Sequence, residues 1–269
     1  MNLQEKENKL KGVIAQFDSA VIAFSGGVDS TFLARICRDI LKGKVLLVTA
    51  SSSTYPAHEL EDARKLAAGL GMEHLVIVSE ELDIPGFRRN PPDRCYHCKR
   101  ELFLKIRQIA EKEGCEAVFD GSNADDQNDY RPGRRAIEEQ GIISPLCLSG
   151  LTKPEIRELS RSLGLTTAEK PPYACLASRF PYGEEITRQK LDRVAEAEKS
   201  IRNLGFTLFR VRSHGNLARL EFCPVEMGRA WEARESLLKI CHATGFIYVA
   251  FDMLGYRTGA MNEVLLSEK

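Results

Sequence analysis

The sequence predicts an α/β protein: a parallel sheet with helices on both faces, followed by a smaller C-terminal α+β domain. Three observations lead there. Between Val21 and about Leu163, short β-rich runs alternate with helical patterns, the sequence form of a parallel sheet covered by helices. An apolar run, Val21 to Phe24, leads into the glycine-rich turn Ser25-Gly26-Gly27-Val28-Asp29-Ser30, and an amphipathic helical pattern leads out of it. Beyond Gly183 the alternation stops and a different order of elements begins.

The elements follow in order. Met1 to Lys11 is a charged helical pattern with no signal-peptide core. Strands are expected at Val21 to Phe24, Val45 to Thr49, His74 to Val78 and Ala117 to Phe119, where β-branched and apolar residues cluster between breakers. Helices are expected over Ser30 to Leu41, Ala57 to Leu70, Lys99 to Glu113 and Lys153 to Leu163, the last with Thr152 as N-cap and Pro154 in its first turn. Gly164 to Gly183 carries Pro171, Pro172 and Pro181 and is too long for a simple connection, so it reads as a linker or a functional loop. After it come a charged helix from Thr187 to about Leu204, strands Thr207 to Ser213 and Leu217 to Phe222 turned at Gly215-Asn216, a helix to about His242, and a strand Phe246 to Phe251. The chain of 269 residues is therefore divided into a nucleotide domain over 1–164, an interdomain loop over 165–186 and a small domain over 187–269.

Composition narrows the function. The 38 basic and 38 acidic residues balance, so no global field draws the protein to nucleic acid or to an anionic membrane. No apolar run approaches the roughly 20 residues of a membrane span, and a cytoplasmic protein is expected. Eight cysteines without a secretion signal favour free thiols or metal ligands over a disulfide framework.

The turn Ser25 to Ser30 carries the most chemistry. Two consecutive glycines permit a tight backbone whose N–H groups wrap an anion at the start of a helix. Ser25 and Ser30 add hydroxyl donors, and Asp29 is placed to hold magnesium against bound phosphates. No lysine follows the glycines as in a Walker A loop, and the spacing is not Gly-x-Gly-x-x-Gly. In open α/β sheets ligands sit beyond the carboxyl ends of strands, which here carry Ser25 to Ser30, Ala50 to Thr54 and Asp120 to Asp126.

Three cysteines stand out. Cys175 lies in the Pro-rich loop, followed by Arg179, and a thiol near positive charge is activated as a nucleophile. Cys95 and Cys98 form a Cys-x-x-Cys turn, enough to begin a metal site and too few to finish one. The pair is read either as metal-binding or as two cysteines packed at a helix start. His97, inside that turn, is a metal ligand or base, or else an outward-pointing side chain. The remaining cysteines and Trp231 read mostly as core. Arg210 and Arg212, two apart on a strand, present two guanidiniums on one face, suited to a phosphate or carboxylate or simply to a charged surface.

The glycine-rich turn resembles the PP-loop of ATP pyrophosphatases, of the adenine nucleotide alpha-hydrolase-like fold. Together with Asp120-Gly121-Ser122-Asn123-Ala124-Asp125-Asp126, Tyr130-Arg131-Pro132-Gly133, Cys175, Arg210-Val211-Arg212 and Gly255-Tyr256-Arg257-Thr258-Gly259, it makes the chain similar to the LarE sulfur transferases from about residue 10 to the C-terminus. That resemblance implies an ATP- and magnesium-dependent enzyme that adenylylates a carboxylate of pyridinium-3,5-biscarboxylic acid mononucleotide, releases pyrophosphate and makes a thiocarboxylate for the nickel-pincer cofactor. It implies ATP contacts from Ser25, Gly26, Gly27, Asp29, Ser30, Ala50, Gly121 and Asn123, and substrate contacts from Arg179, Arg210 and Arg212. It implies that Cys175 attacks the acyl adenylate and gives up its sulfur, leaving dehydroalanine. A cluster-dependent variant of the family suggests instead that Cys95, Cys98 and Cys175 hold a 4Fe-4S cluster with one iron open to an extra sulfide. Other proteins of nickel-pincer cofactor biosynthesis, and a homo-oligomer, are the partners it implies. The alternatives are a PP-loop tRNA thiolase, disfavoured by the neutral charge and the lack of an RNA-binding module, an ammonia-using amide synthetase with no need of Cys175, and a sensor that binds ATP without consuming it.

Overall fold

The computed structural model describes residues 1–127 and 132–266. Tyr130 and Arg131 of the motif quoted above lie outside the described residues. Two compact units emerge, one from Met1–Ile84 with Asp93–Tyr173, the other from Pro85–Pro92 with Ala174–Lys269.

The first unit opens with α1 (Leu3–Ile14), closed at its start by a capping box between Asn2 and Glu5. Its strands are β1 (Ala20–Ala23), β2 (Val45–Ser51), β3 (Glu73–Val78) and β4 (Ala117–Phe119). They form an all-parallel sheet in the order β3-β2-β1-β4. The crossovers use α2 (Val28–Ile40), α3 (Ala57–Gly69) and α4 (Arg94–Glu113), and α5 (Gly133–Glu139), α6 (Pro145–Leu148) and α7 (Lys153–Ser162) follow β4. Alternation along the strands builds two cores. Ala20, Ile22 and Leu47 pack with Phe32 and Leu33 of α2, Leu10 of α1 and Ile156 of α7, whereas Val21, Leu46 and Val48 pack with Phe103 and Ile106 of α4 and Ile137 of α5. Helices thus cover both faces, as expected. The order reverses between β1 and β4, which places the ligand crevice of such sheets at the loops after those two strands.

The second unit takes a 3₁₀ turn, Phe87–Arg89, from its first segment, and its longer segment opens with a second 3₁₀ turn, Leu176–Arg179, followed by α8 (Arg188–Asn203). Strands β5 (Phe209–His214) and β6 (Leu217–Phe222) pair antiparallel through the Gly215-Asn216 turn, where Gly215 takes φ 59°. Strand β7 (Tyr248–Phe251) joins β6 in parallel. Leu191, Val194, Ala197 and Ile201 turn one face of α8 into the core with Phe209, Val211 and Phe222. The single helix expected before His242 is two, α9 (Met227–Glu232) and α10 (Arg234–Ala243), broken at Ala233; α11 (Glu263–Leu266) closes the described chain. Residues 85–92 join this unit through Asn90, whose side-chain amide donates to the carbonyls of Phe180 (3.2 Å) and Pro181 (2.6 Å). Trp231 is not core: it is 60 % exposed, with its ring edge-on to Phe251. Among the other cysteines Cys37 and Cys241 are buried and Cys115 packs, half-buried, against the core of β1, β2 and α4, so core packing accounts for most of them, as expected; Cys147 and Cys223 are half-buried.

Candidate functional site

The loop after β1 is shaped for an anion. Gly26 takes φ 64°, and an added Cβ there would meet Ala63 Cα of α3 at 3.0 Å, so both conformation and packing demand glycine. Gly27 is the N-cap of α2 and offers no side-chain cap. The first N–H groups of α2 are therefore left for a ligand, with the positive end of the helix behind them. Ser30 Oγ lies 3.2 Å from Ser25 Oγ and 3.3 Å from the carbonyl of Gly27. Gly121, at the end of β4, runs so close to this helix start that a Cβ would sit 3.2 Å from Ser30 N. The loops after β1 and β4 are thus in contact, as the topology requires.

Asn123 is buried and shapes its own loop. Its Oδ1 accepts from Asp125 N–H, and its N–H donates to Asp126 Oδ2, both at 3.0 Å. Asp120 accepts from the hydroxyls of Ser122 and Ser144. Ala50, near the carboxyl end of β2, pairs with Ile77 of β3. The Ser52 to Thr54 turn beyond it is tied by hydroxyl contacts, including one from Ser53 to Glu80.

Asp29 sits in the first turn of α2, where Lys153 Nζ pairs with its Oδ2. Its Oδ1 is buried without a hydrogen-bond partner. Burial raises the Asp29 carboxyl above the usual carboxylate range, Lys153 opposes that rise, and Asp126 adds to it. An unsatisfied carboxylate oxygen beside a second carboxylate fits magnesium, which takes one or two carboxylates and completes its shell with phosphate oxygens and water. Lys153 escaped the sequence reading because it lies far along the chain; its place on α7, with its own N–H donating to Asp125 Oδ2 at 2.8 Å, is a product of the fold.

Cys95 and Cys98 lie within α4, which starts at Arg94, five residues before the expected Lys99. Cys95 is exposed; Cys98 Sγ lies 3.7 Å from Glu81 Oε1. His97 Nε2 is 3.6 Å from Asp93. Among the described residues, no three or more His, Cys, Asp or Glu side chains gather as a metal-holding group. Cys95 and Cys98 by themselves supply two thiols on one turn, fewer than a four-iron cluster needs.

In the second unit Cys175 is exposed and begins the 3₁₀ turn, its Sγ accepting the Ala177 N–H at 3.3 Å. Two of the three arginines expected to contact substrate, Arg179 and Arg212, hydrogen-bond to this turn. Arg179 is fully buried; its Nε and Nη2 clasp Glu198 at 2.8 and 3.0 Å, and its Nη1 donates to the carbonyls of Ala174 (2.9 Å) and Cys175 (3.3 Å). Glu198 Oε1 also accepts the Val211 N–H at 3.0 Å. Burial would raise the Glu198 carboxyl, but the Arg179 guanidinium prevails and holds it below its ordinary range. Arg212 donates to Ser178 O (2.9 Å) and Glu221 (2.7 Å), and its Nε is buried without a partner. Arg210 is buried, with its guanidinium 4.9 Å from the Tyr256 ring centroid; burial, then Arg179, lower its pKa. Arg179, Arg210 and Arg212 therefore form one buried cationic group next to the Cys175 turn, offset only in part by Glu198 and Glu221. Glu198 is 5 % exposed and anchors the arginine beneath the cysteine.

Comparison with known proteins adds four findings. The NAD synthase family model matches residues 3–85, the stretch that holds the loop after β1. An uncharacterized protein of Synechocystis is 42 % identical over 98 % of this chain and 99 % of its own. tRNA-specific 2-thiouridylase of Brucella suis is 27 % identical, over 63 % of this chain and 52 % of that enzyme. Pyridinium-3,5-bisthiocarboxylic acid mononucleotide synthase of Lactiplantibacillus plantarum is 34 % identical over 98 % of this chain and 96 % of its own length, so the chain belongs to the LarE family of the PP-loop superfamily.

Proposed function

We propose that this protein is an ATP-dependent sulfur transferase that converts a carboxylate of pyridinium-3,5-biscarboxylic acid mononucleotide into a thiocarboxylate, with the other proteins of nickel-pincer cofactor assembly as its partners. The observation that carries the reading is the exposed Cys175, its backbone pinned by the buried Arg179–Glu198 pair, in a chain that aligns end to end with the synthase. The loop after β1 binds the pyrophosphate end of ATP, and Asp29 would hold the magnesium ion, whose charge would offset that of the phosphates. A substrate carboxylate oxygen attacks the α-phosphorus, and pyrophosphate leaves. Cys175 Sγ then attacks the acyl carbon and AMP departs, which leaves a thioester. A base removes the proton from Cα of Cys175, that electron pair forms the Cα=Cβ bond, and the Cβ–S bond breaks. The products are a thiocarboxylate and dehydroalanine.

Arg210 and Arg212 serve the substrate in this reading as the positive potential behind the Cys175 turn. Intact mass with iron and sulfide analysis on protein purified without air, before and after turnover with ATP, magnesium and the pyridinium dicarboxylate, tests it. The expected result is a loss equal to one hydrogen sulfide at Cys175, with none in Cys175→Ala. Bound iron and sulfide with unchanged polypeptide mass after turnover would move the sulfur source to a cluster. Unchanged mass with no pyrophosphate released would remove the substrate.

A further inference from the structure

The carbonyls of the loop after β1 are held by hydrogen bonds of their own. Tyr55 Oη donates to Ser25 O at 2.8 Å. Lys170 Nζ lies 3.3 Å from Gly26 O, 2.8 Å from Glu59 and 3.4 Å from Asp62. Gly27 O accepts the Thr31 N–H at 3.0 Å as the first turn of α2. Three successive carbonyls are thus engaged, two of them by side chains from outside the loop.

A trans peptide is planar, so its C=O and the following N–H point in opposite directions. Fixing Ser25 O fixes the Gly26 N–H, and fixing Gly26 O fixes the Gly27 N–H, which makes one long contact within the loop, to Ser25 Oγ at 3.4 Å. Glycine has little intrinsic preference for either orientation of its flanking peptides, so the Gly26-Gly27 pair cannot aim these amides by itself. We infer that Tyr55 and Lys170 are positioning residues of the nucleotide site, which turn the Ser25 and Gly26 carbonyls outward and so aim two amides at the leaving pyrophosphate.

Both donors are themselves braced. Lys170 is 17 % exposed and rests on Glu59, which is buried on α3. Its main-chain segment is clamped to α7, because Arg157 donates to the carbonyls of Ala168 and Lys170. The Tyr55 ring stands edge-on to Tyr173 at 5.9 Å, and Tyr173 Oη reaches Thr54 O at 3.4 Å. Lys170 and Tyr173 belong to the stretch that leads into Cys175, so the start of the cysteine-bearing segment is built into the wall of the anion loop. Preorganised amides of this kind need no reorientation as charge develops on the leaving group.

The inference rests on the proposed use of ATP, and pyrophosphate binding separates the two. Titration of the parent protein with magnesium pyrophosphate is compared with Tyr55→Phe, which keeps the ring and removes one hydroxyl. The second comparison is Lys170→Met combined with Glu59→Gln, which avoids stranding a buried carboxylate; Lys170→Arg is the rescue variant. Each of the first two is expected to weaken pyrophosphate about tenfold and to raise the KM for ATP in pyrophosphate release by a similar factor, with an unchanged melting temperature for Tyr55→Phe and near-parent binding for Lys170→Arg. Binding within twofold of parent in Tyr55→Phe and in the double variant would overturn the positioning role. A parent that binds no pyrophosphate would overturn the phosphate-site reading, and this inference with it.

Discussion

Cys175 is held from below. A thiol on an exposed turn does not ordinarily keep one geometry, because short loops of small residues sample many. Here Arg179 ties two carbonyls of the turn to Glu198, and Glu198 is tied to the β5 backbone at Val211. Removing one partner from such a buried pair strands the other charge, at a cost of about 3–5 kcal/mol. Glu198→Gln should therefore lower the melting temperature and cut the rate of thioester formation, while pyrophosphate affinity stays near that of the parent. Differential scanning fluorimetry beside single-turnover kinetics checks both, and an unchanged melting temperature would contradict the anchoring role. These pairings were hard to read in the sequence. Cys175 and the Ser25 to Ser30 turn stand out through local composition, whereas Lys153 is matched to Asp29, and Lys170 to Gly26, only once the sheet has formed.

At the scale of elements, the strand and helix alternation was legible because burial imposes a period. β1 sends Ala20 and Ile22 to one core and Val21 to the other, and α2 buries Phe32, Leu33, Ile36 and Cys37. Boundaries were less legible. The start of α4 was placed late because Cys95-Tyr96-His97 shows no apolar period, and the break at Ala233 carries neither glycine nor proline to announce it. The strongest element-level consequence is the contact between α3 and the loop after β1. Gly26→Ala combines a left-handed residue with a Cβ 3.0 Å from Ala63 Cα, and should cost about 1–3 kcal/mol from backbone strain with more from the contact. ATP binding is expected to fall below detection by calorimetry. Gly121→Ala meets Ser30 N at 3.2 Å, a tight but movable contact, so it should retain the fold and bind ATP more weakly.

Across the molecule, equal numbers of acidic and basic residues hide unequal electrostatics in the two units. In the first, half-buried Asp29 and buried Glu81 have carboxyls raised above their ordinary range, by desolvation first in each case. A raised carboxyl costs the fold stability while ionised, so that cost is relieved as pH falls through its folded pKa. In the second unit Glu198 and Asp252 are lowered: burial opposes ionisation at both, but Arg179 wins at Glu198, and the Leu254 N–H with Arg257 wins at Asp252. Their contribution is present above the ordinary carboxylate pKa and is lost as pH falls through the lower folded value. The first unit also has lowered carboxyls: Asp39, Glu113 and Glu169 form surface pairs that solvent screens, and Glu155, half-buried against Lys6 and the Thr152 cap, is the exception. The two units should therefore respond to acid with opposite sign. Hydrogen–deuterium exchange resolved by peptide, corrected for the intrinsic rate at each pH, measures this directly. Between neutral pH and about 5, protection of β1 and α2 should hold or rise; below the ordinary carboxylate range, protection of α8 and β5 should be the first to fall. Glu198→Gln should remove much of that acid-dependent loss, because the variant has no charge to lose there. A parallel fall in both units from neutral pH downward would mean that surface pairs, rather than these four carboxyls, set the acid stability of the protein.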